Sequence, residues 1–276
     1  MGNVIKYLYD SFNKYRLYLQ LNSAIKYLEH LGEGSVDLEL NKTTGIATIL
    51  INHPKKKNAI SGKMMVDFYH AVNELEKWED GKAVILHGAG DCFCSGGDLD
   101  VFRLIAENGR TTEMSFFMTF AMKKLTNLPL VSVAFISGRG AFGGGAEIAL
   151  TTDYCVIHPD SKIAFIHATM GVTPAWGGGF RLRERLGLKG ALDLLLKSRS
   201  NKANDALTLG IVDGVCNSID EVETFMAEKL RHDAVVVKSV KKTVIANDPS
   251  ESTDLFAHLL GAESNRKALE AKLKHT

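Results

Sequence analysis

Three consecutive glycines, at positions 143–145, constrain the fold of this chain more than any other feature of its sequence. They follow an apolar run, residues 131–136, that predicts a buried strand, and they precede an apolar run, opening at Glu147, that predicts a helix. Glycine has no Cβ, so its backbone N–H can lie close to a ligand, and a helix that begins there presents unpaired amides to it. The segment predicts either a tight turn with a surface glutamate or a site that stabilises a developing negative charge beside Glu147.

A second strand–glycine–helix junction lies at residues 92–99, with the sequence CFCSGGDL, after a strand-like run at residues 83–87. Asp98 is placed to cap the helix that follows it. Two such junctions can each contribute one backbone N–H to a single oxyanion hole. Neither junction has the spacing of a phosphate loop or of a dinucleotide fingerprint, so neither predicts a nucleotide site.

Composition and charge exclude several classes of protein. The chain has 276 residues, 45% of them hydrophobic and 24% charged, with a net charge of +1. This balanced charge argues against a dedicated nucleic-acid surface, and no apolar run is long enough to span a bilayer. The four cysteines lie in apolar or strand-like contexts, which favours reduced thiols in an intracellular protein. Cys92 and Cys94 lack the partner pair that a metal site needs, so no metal is expected.

The order of the predicted elements indicates an α/β fold, because strands alternate with helices up to about Arg181. Beyond that residue the pattern predicts only helices. Strands are predicted over residues 35–40, 46–51, 83–87, 131–136, 154–158 and 162–165. Helices are predicted from a cap at Ser61 to about Trp78, and over residues 203–209, 221–231, 234–246 and 251–274.

The chain resembles the crotonase, or enoyl-CoA hydratase/isomerase, superfamily. The residues that carry the resemblance are Asn52-His53-Pro54 with Asn58-Ala59, residues 93–99, residues 138–147, Asp153, residues 171–178, and Arg181-Leu182. They occur in the family's order and spacing from about Ser35 onward. The resemblance implies a crotonase-like spiral core of ββα units over residues 35–200, preceded by a helical arm (1–34). It also implies a helical region (201–276) that builds a homotrimer or hexamer.

The resemblance also implies an acyl-CoA substrate, with CoA as part of the substrate and no separate cofactor. The N–H groups of Gly97 and Gly144 would hold the thioester oxygen. Ser95 aligns with a backbone contact to the CoA adenine. The run of three lysines aligns with basic residues near the CoA phosphates, although a solvated loop explains that run equally well. The substrate-binding residues that we predict are Ser95, Trp176, Lys55, Lys56 and Lys57.

One departure from the family pattern discriminates between its reactions. Glu147 matches the first of the two acids with which hydratases add water, but the position of the second acid is occupied by His167. Water addition normally needs both a base and an acid, so hydration is disfavoured. The segment around His167, together with Trp176, resembles the ethylmalonyl-CoA decarboxylase branch. That branch removes CO₂ from ethylmalonyl-CoA and, less preferentially, methylmalonyl-CoA, as metabolite repair in the cytosol.

The decarboxylase interpretation gives each residue a role and leaves alternatives open. His167 either orients the substrate carboxylate or delivers a proton to the α-carbon, and Glu147 is a competing proton donor. Trp176 is expected to narrow the acyl pocket. A hydratase, or an isomerase that uses Glu147 alone, is the first alternative. A non-catalytic acyl-CoA- or RNA-binding relative is the second. Cytoplasm is the expected compartment, with the mitochondrion as the alternative.

Overall fold

A six-stranded sheet forms the centre of the computed structural model, which describes residues 2–273 and the side chains of residues 13–271. Its first two strands form an antiparallel hairpin, and every later strand pairs in parallel with its neighbour. In sheet order the strands are β1 (Ser35–Asn41), β2 (Ile46–Asn52), β3 (Ala83–Gly88), β4 (Val131–Ile136), β6 (Tyr154–Ile157) and β9 (Gly214–Val215). A second sheet contains β5 (Ala141–Phe142), β7 (Lys162–Ala164) and β8 (Ser200–Lys202).

Helices connect the strands and cover the sheet. They are α1 (Gly2–Leu28), α2 (Gly62–Lys77), α3 (Leu99–Glu107), α4 (Thr111–Thr126), α5 (Gly144–Ala149), α6 (Gly178–Lys197), α7 (Ala203–Thr208), α8 (Ile219–Ala227), α9 (Ala234–Ile245), α10 (Pro249–Leu259) and α11 (Glu263–Leu273). The α/β prediction is confirmed, and the six predicted strands are present with bounds that differ by at most one residue. Ser61 caps α2 as predicted, because its side chain accepts from the N–H of Met64.

Two predictions about the C-terminal third are wrong. The chain is not wholly helical after Arg181, because β8 joins the second sheet and β9 extends the main one. The last helix is not continuous, because Gly261 adopts a φ of +76° between α10 and α11. That left-handed conformation ends a right-handed helix. Lys274, where we expected the helix to stop, lies outside the described residues.

The N-terminal helix packs on the body of this same chain. Leu21, Ala24 and Leu28 of α1 are buried and belong to the main hydrophobic core. The guanidinium of Arg110 lies 4.4 Å from the centre of the Tyr27 ring. The division into residues 1–34, 35–200 and 201–276 stays a prediction, and its first residue, Met1, lies outside the described part. No helix within residues 2–273 is both long and apolar enough for a membrane crossing.

The side chain of Asn58, which follows the three lysines, forms hydrogen bonds with the segment just after β3. Its side chain is fully buried, and its Oδ1 accepts from the N–H of His53 at 2.7 Å. Its Nδ2 donates to the carbonyls of Ala89 (2.8 Å) and Cys92 (2.6 Å). Because buried backbone groups are costly to leave unpaired, this amide holds the second glycine junction in place.

The substitution Asn58→Ala is expected to lower the free energy of unfolding by about 2–4 kcal/mol, because it strands several buried backbone groups at once. Urea unfolding measures the change. Lys55→Ala, at an exposed position of the same segment, is the matched control and should shift stability by less than about 0.5 kcal/mol. Equal unfolding midpoints for the two variants would show that Asn58 does not hold this junction.

Candidate active site

The two glycine junctions lie in direct backbone contact. The N–H of Phe142 donates to the carbonyl of Cys94 at 2.9 Å, and the N–H of Cys94 donates to the carbonyl of Gly140 at 3.3 Å. A Cβ built on Gly145 would lie 2.3 Å from the Cys94 carbonyl oxygen, so a larger residue is excluded there. The structure therefore brings together the two segments that the sequence placed in one site.

The N–H groups of Gly97 and Gly144 are both free at this contact. Ile60 pairs with the residues on both sides of Gly97, since its N–H donates to Gly96 (2.8 Å) and its carbonyl accepts from Asp98 (2.9 Å). Gly144 opens α5, where an N–H has no acceptor within the helix. Within the described part of the chain, neither N–H donates a hydrogen bond. The helix thus begins at Gly144, and the expectation that it opens at Glu147 is wrong.

Two aromatic rings cover these glycines. A Cβ on Gly144 would lie 2.5 Å from the Trp176 ring, and a Cβ on Gly97 would lie 2.2 Å from the Phe102 ring. The two rings meet edge to face, with their centroids 6.1 Å apart. Trp176, which the sequence predicted to narrow the acyl pocket, lies with its ring against Gly144. Phe102 was missed, although an apolar residue in the second turn of a helix capped by Asp98 was a usable signal.

The Glu147 carboxylate is buried and its two oxygens accept four hydrogen bonds. Oε2 accepts from the N–H of Trp176 (2.9 Å) and of Gly178 (2.7 Å). Oε1 accepts from the N–H of Ala175 (3.3 Å) and lies 3.0 Å from Nε2 of His167. Only 2% of Glu147 is exposed, so the interpretation as a surface glutamate is wrong. We call residues 172–177 the Trp176 loop. The Glu147 carboxylate holds this loop from the protein interior by accepting hydrogen bonds from two of its N–H groups.

One ring nitrogen of His167 forms a hydrogen bond, and the other has no hydrogen-bond partner among the described residues. An ionised carboxylate only accepts hydrogen bonds, so Nε2 carries the hydrogen that is shared with Glu147. Nδ1 is buried and has no partner among the described residues, in a side chain that is 8% exposed. Buried polar atoms without a partner are uncommon and call for a functional explanation. Nδ1 is therefore the atom of this pair that can meet a substrate.

The Trp176 loop is also held from outside. The carbonyl of Ala175 accepts from Ser115 Oγ (3.1 Å) and Thr119 Oγ1 (2.9 Å), both on α4. Arg181 Nη1 donates to the carbonyl of Trp176 at 2.9 Å. Burial lowers the pKa of the Arg181 guanidinium, and the charge of Glu147 opposes that shift. The backbone of the loop is thus held on both sides, and the Trp176 ring that it carries is buried.

The three lysines at positions 55–57 differ in their contacts: one forms ion pairs, and the other two are exposed and form none among the described residues. Lys56 Nζ lies 2.8 Å from Asp98 and 3.1 Å from Asp100, and these hydrogen bonds raise its pKa. Lys55 and Lys57 are exposed. Ser95 Oγ donates to the carbonyl of Lys56 at 3.3 Å, so this segment lies directly against the Ser95 junction.

Asp98 caps α3, as predicted, by accepting from the N–H groups of Asp100 and Val101. Burial would raise the pKa of its carboxyl, but the hydrogen bonds from Lys56 and from those two amides outweigh burial, so the pKa lies below its usual range. The four cysteines are all buried and unpaired. No group of three or more potential metal ligands occurs among the residues that the structure describes.

The sequence is similar to those of known proteins of one family. A family model described as Enoyl-CoA hydratase/isomerase matches residues 41–256. The ethylmalonyl-CoA decarboxylase of Danio rerio is 37% identical over 257 residues, covering 88% of this chain and 85% of that protein. The ethylmalonyl-CoA decarboxylase of Gallus gallus is 35% identical over 262 residues, covering 90% of this chain and 87% of that protein.

A solved structure confirms the predicted crotonase fold. The enoyl-CoA hydratase from Bacillus anthracis superposes with a TM-score of 0.77 and covers 87% of this chain and 96% of its own length. At 22% sequence identity this likeness concerns the fold.

The substitution Asp98→Asn is expected to destabilise the protein in a pH-dependent way. Because the folded-state pKa lies below the ordinary value of 3.8, the ionised carboxylate stabilises the fold. That contribution is complete above the unfolded-state pKa and disappears as the pH falls through the folded-state value. Urea unfolding should show the largest loss near pH 7 and a shrinking loss below about pH 4.

The exposed Asp160→Asn serves as the control for this measurement and should change stability little at either pH. A destabilisation by Asp98→Asn that stays constant from pH 7 to pH 3 would contradict the proposed role of the Asp98 charge.

Proposed function

We propose that this chain, which belongs to the enoyl-CoA hydratase/isomerase family, is an acyl-CoA decarboxylase that acts on short-chain malonyl-type thioesters. Ethylmalonyl-CoA is the proposed main substrate and methylmalonyl-CoA a second one, in line with the name of the relatives from Danio rerio and Gallus gallus. The observation that carries the proposal is the free Nδ1 of His167, beside a Glu147 carboxylate whose oxygens are already occupied.

The free N–H groups of Gly97 and Gly144 would stabilise the reaction's anionic intermediate. They donate to the thioester oxygen of the substrate. The bond between the α-carbon and the carboxylate breaks, CO₂ leaves, and the bonding electrons become the enolate of the thioester. Negative charge then collects on the oxygen that the two amides hold. Donors aimed in this way each lower the barrier by about 3 kcal/mol in comparable sites.

His167 would complete the reaction by protonating the α-carbon. In the imidazolium form both ring nitrogens are donors, so Nε2 keeps its bond to Glu147 while Nδ1 gives its proton to the enolate carbon. The product is the shortened acyl-CoA, and the ring regains a proton from solvent. The thioester itself accepts the electrons, so the proposed steps use no separate cofactor.

Glu147 acts in this proposal as a positioning residue and not as the proton donor. Its four hydrogen bonds engage both oxygens, and its negative charge stabilises the imidazolium of His167. The same arrangement disfavours hydration and double-bond isomerisation, since both need a carboxylate oxygen free to take a proton. The neighbouring acid, Asp98, is likewise occupied, by Lys56 and by the start of α3.

The remaining site residues would bind CoA and limit the acyl group. Ser95 would meet the adenine through its backbone, as in the family. Lys56 is already paired with two aspartates, so the exposed Lys55 and Lys57 are better placed to contact the phosphates. Trp176, buried and fastened over Gly144, would narrow the acyl pocket.

We further propose a homotrimer or a hexamer in the cytosol. Gly187 interrupts α6 with a φ of +71°, and the part of the helix after it carries exposed apolar side chains, which supports association of subunits. These side chains are Leu188, Leu192 and Leu196. Four buried, unpaired cysteines support a reducing compartment.

The decisive assay follows CO₂ release and CoA products from ethylmalonyl-CoA and methylmalonyl-CoA, with crotonyl-CoA hydration measured in parallel. We expect butyryl-CoA and propionyl-CoA, no hydration, and a loss of kcat of about 10²–10⁴-fold in His167→Gln, which removes the proton donor. His70→Ala, an exposed histidine on α2, is the matched control and should keep full activity.

Glu147→Gln separates positioning from proton donation. Without the negative charge the imidazolium is less stable, so Glu147→Gln should lower kcat by a smaller factor than His167→Gln does, while activity persists. Hydration or a double-bond shift without CO₂ would overturn the proposal, and so would full decarboxylation by His167→Gln. If none of the three substrates reacts, the alternative of a non-catalytic binding protein is favoured.

A further inference from the structure

Phe102 is the residue at this site to which neither the motifs nor the proposed chemistry gives a role. Three atoms of its ring lie 2.2–2.6 Å from the place where a Cβ of Gly97 would be. The ring is half-buried and meets Trp176 edge to face. Trp176 occupies the equivalent place over Gly144, 2.5–3.0 Å from its Cβ position. The two rings are therefore neighbours, and each lies directly against one of the two glycines.

We infer that Phe102, with Trp176, sets the upper size limit of the substituent on the substrate's α-carbon. This inference rests on the proposed function, because it requires a malonyl-type thioester whose oxygen is held by Gly97 and Gly144. The α-carbon is two bonds from that oxygen, so its substituent must lie within a few ångströms of the same two glycines. Each of the two rings lies against one of these glycines, on the side where a side chain would be.

The backbone of Phe102 is held by hydrogen bonds, so its ring can limit sterically the size of a bound substituent. Its N–H donates to the carbonyl of Asp98 at 2.8 Å, and Asp98 caps α3 while holding Lys56. Trp176, which carries the other ring, is fastened by Glu147 and Arg181. These bonds fix the backbone from which each ring projects, and the edge-to-face contact between the rings opposes their rotation.

Truncation of Phe102 tests the inference through a ratio of substrates. The kcat/KM for butylmalonyl-CoA is divided by that for methylmalonyl-CoA, in the wild type and in Phe102→Ala. Each additional methylene that gains an apolar contact favours binding by about fourfold, so the two methylenes of butyl beyond ethyl should raise the ratio by about 15-fold. Phe102→Leu, which keeps an apolar side chain, should raise it by a smaller factor.

Leu104→Ala is the matched control, an exposed apolar truncation on the same helix that should leave the ratio unchanged. A merely structural role for Phe102 would lower turnover of both substrates equally, and an unchanged ratio in both Phe102 variants would overturn the inference. If Phe102→Ala does not fold, Phe102→Leu alone decides. Failure of the proposed function is distinct, because the wild type would then decarboxylate neither substrate.

Discussion

The buried carboxylate of Glu147 is the interaction on which the rest of the site depends. A charge out of water costs several kcal/mol unless it is paired and hydrogen-bonded. Here three backbone amides and His167 supply those bonds. The amides belong to the Trp176 loop and to the first residue of α6, so satisfying one carboxylate also positions the loop, the helix and the histidine. Breaking any one of these bonds leaves a buried charge or a buried backbone amide without a hydrogen-bond partner.

That constraint explains how one family geometry can support a different reaction. In the proposed mechanism the group that exchanges a proton with the substrate is the free Nδ1 of His167, because both Glu147 oxygens are occupied. The proposed oxyanion hole needs only backbone N–H groups, which are independent of that change. A reaction whose main requirement is a stabilised enolate and one proton then suits the site. In the proposed site Trp176 and Phe102 place two apolar rings beside the glycines, and apolar surroundings strengthen electrostatic interactions near the held oxygen.

The sequence predicted the parts of the site that depend on the chain's own local pattern. Apolar runs beside the glycines located both junctions, and the family position of the second acid pointed to His167. It did not predict what depends on distant partners. The ligands of the Glu147 carboxylate come from as far as 31 residues away, and Lys56 meets aspartates 42 and 44 residues away. Spacing alone also could not show that Gly261 would divide the last helix.

The most direct test of the account is the stereochemistry of proton delivery. Decarboxylation of ethylmalonyl-CoA in D₂O places one deuterium on the α-carbon of butyryl-CoA. If His167, held by Glu147, delivers it from one side, the wild-type product has a single configuration at that carbon, and residual product from His167→Gln has a mixture. A mixed product from the wild type, or an unchanged single configuration from His167→Gln, would contradict the assignment of His167 as the proton donor.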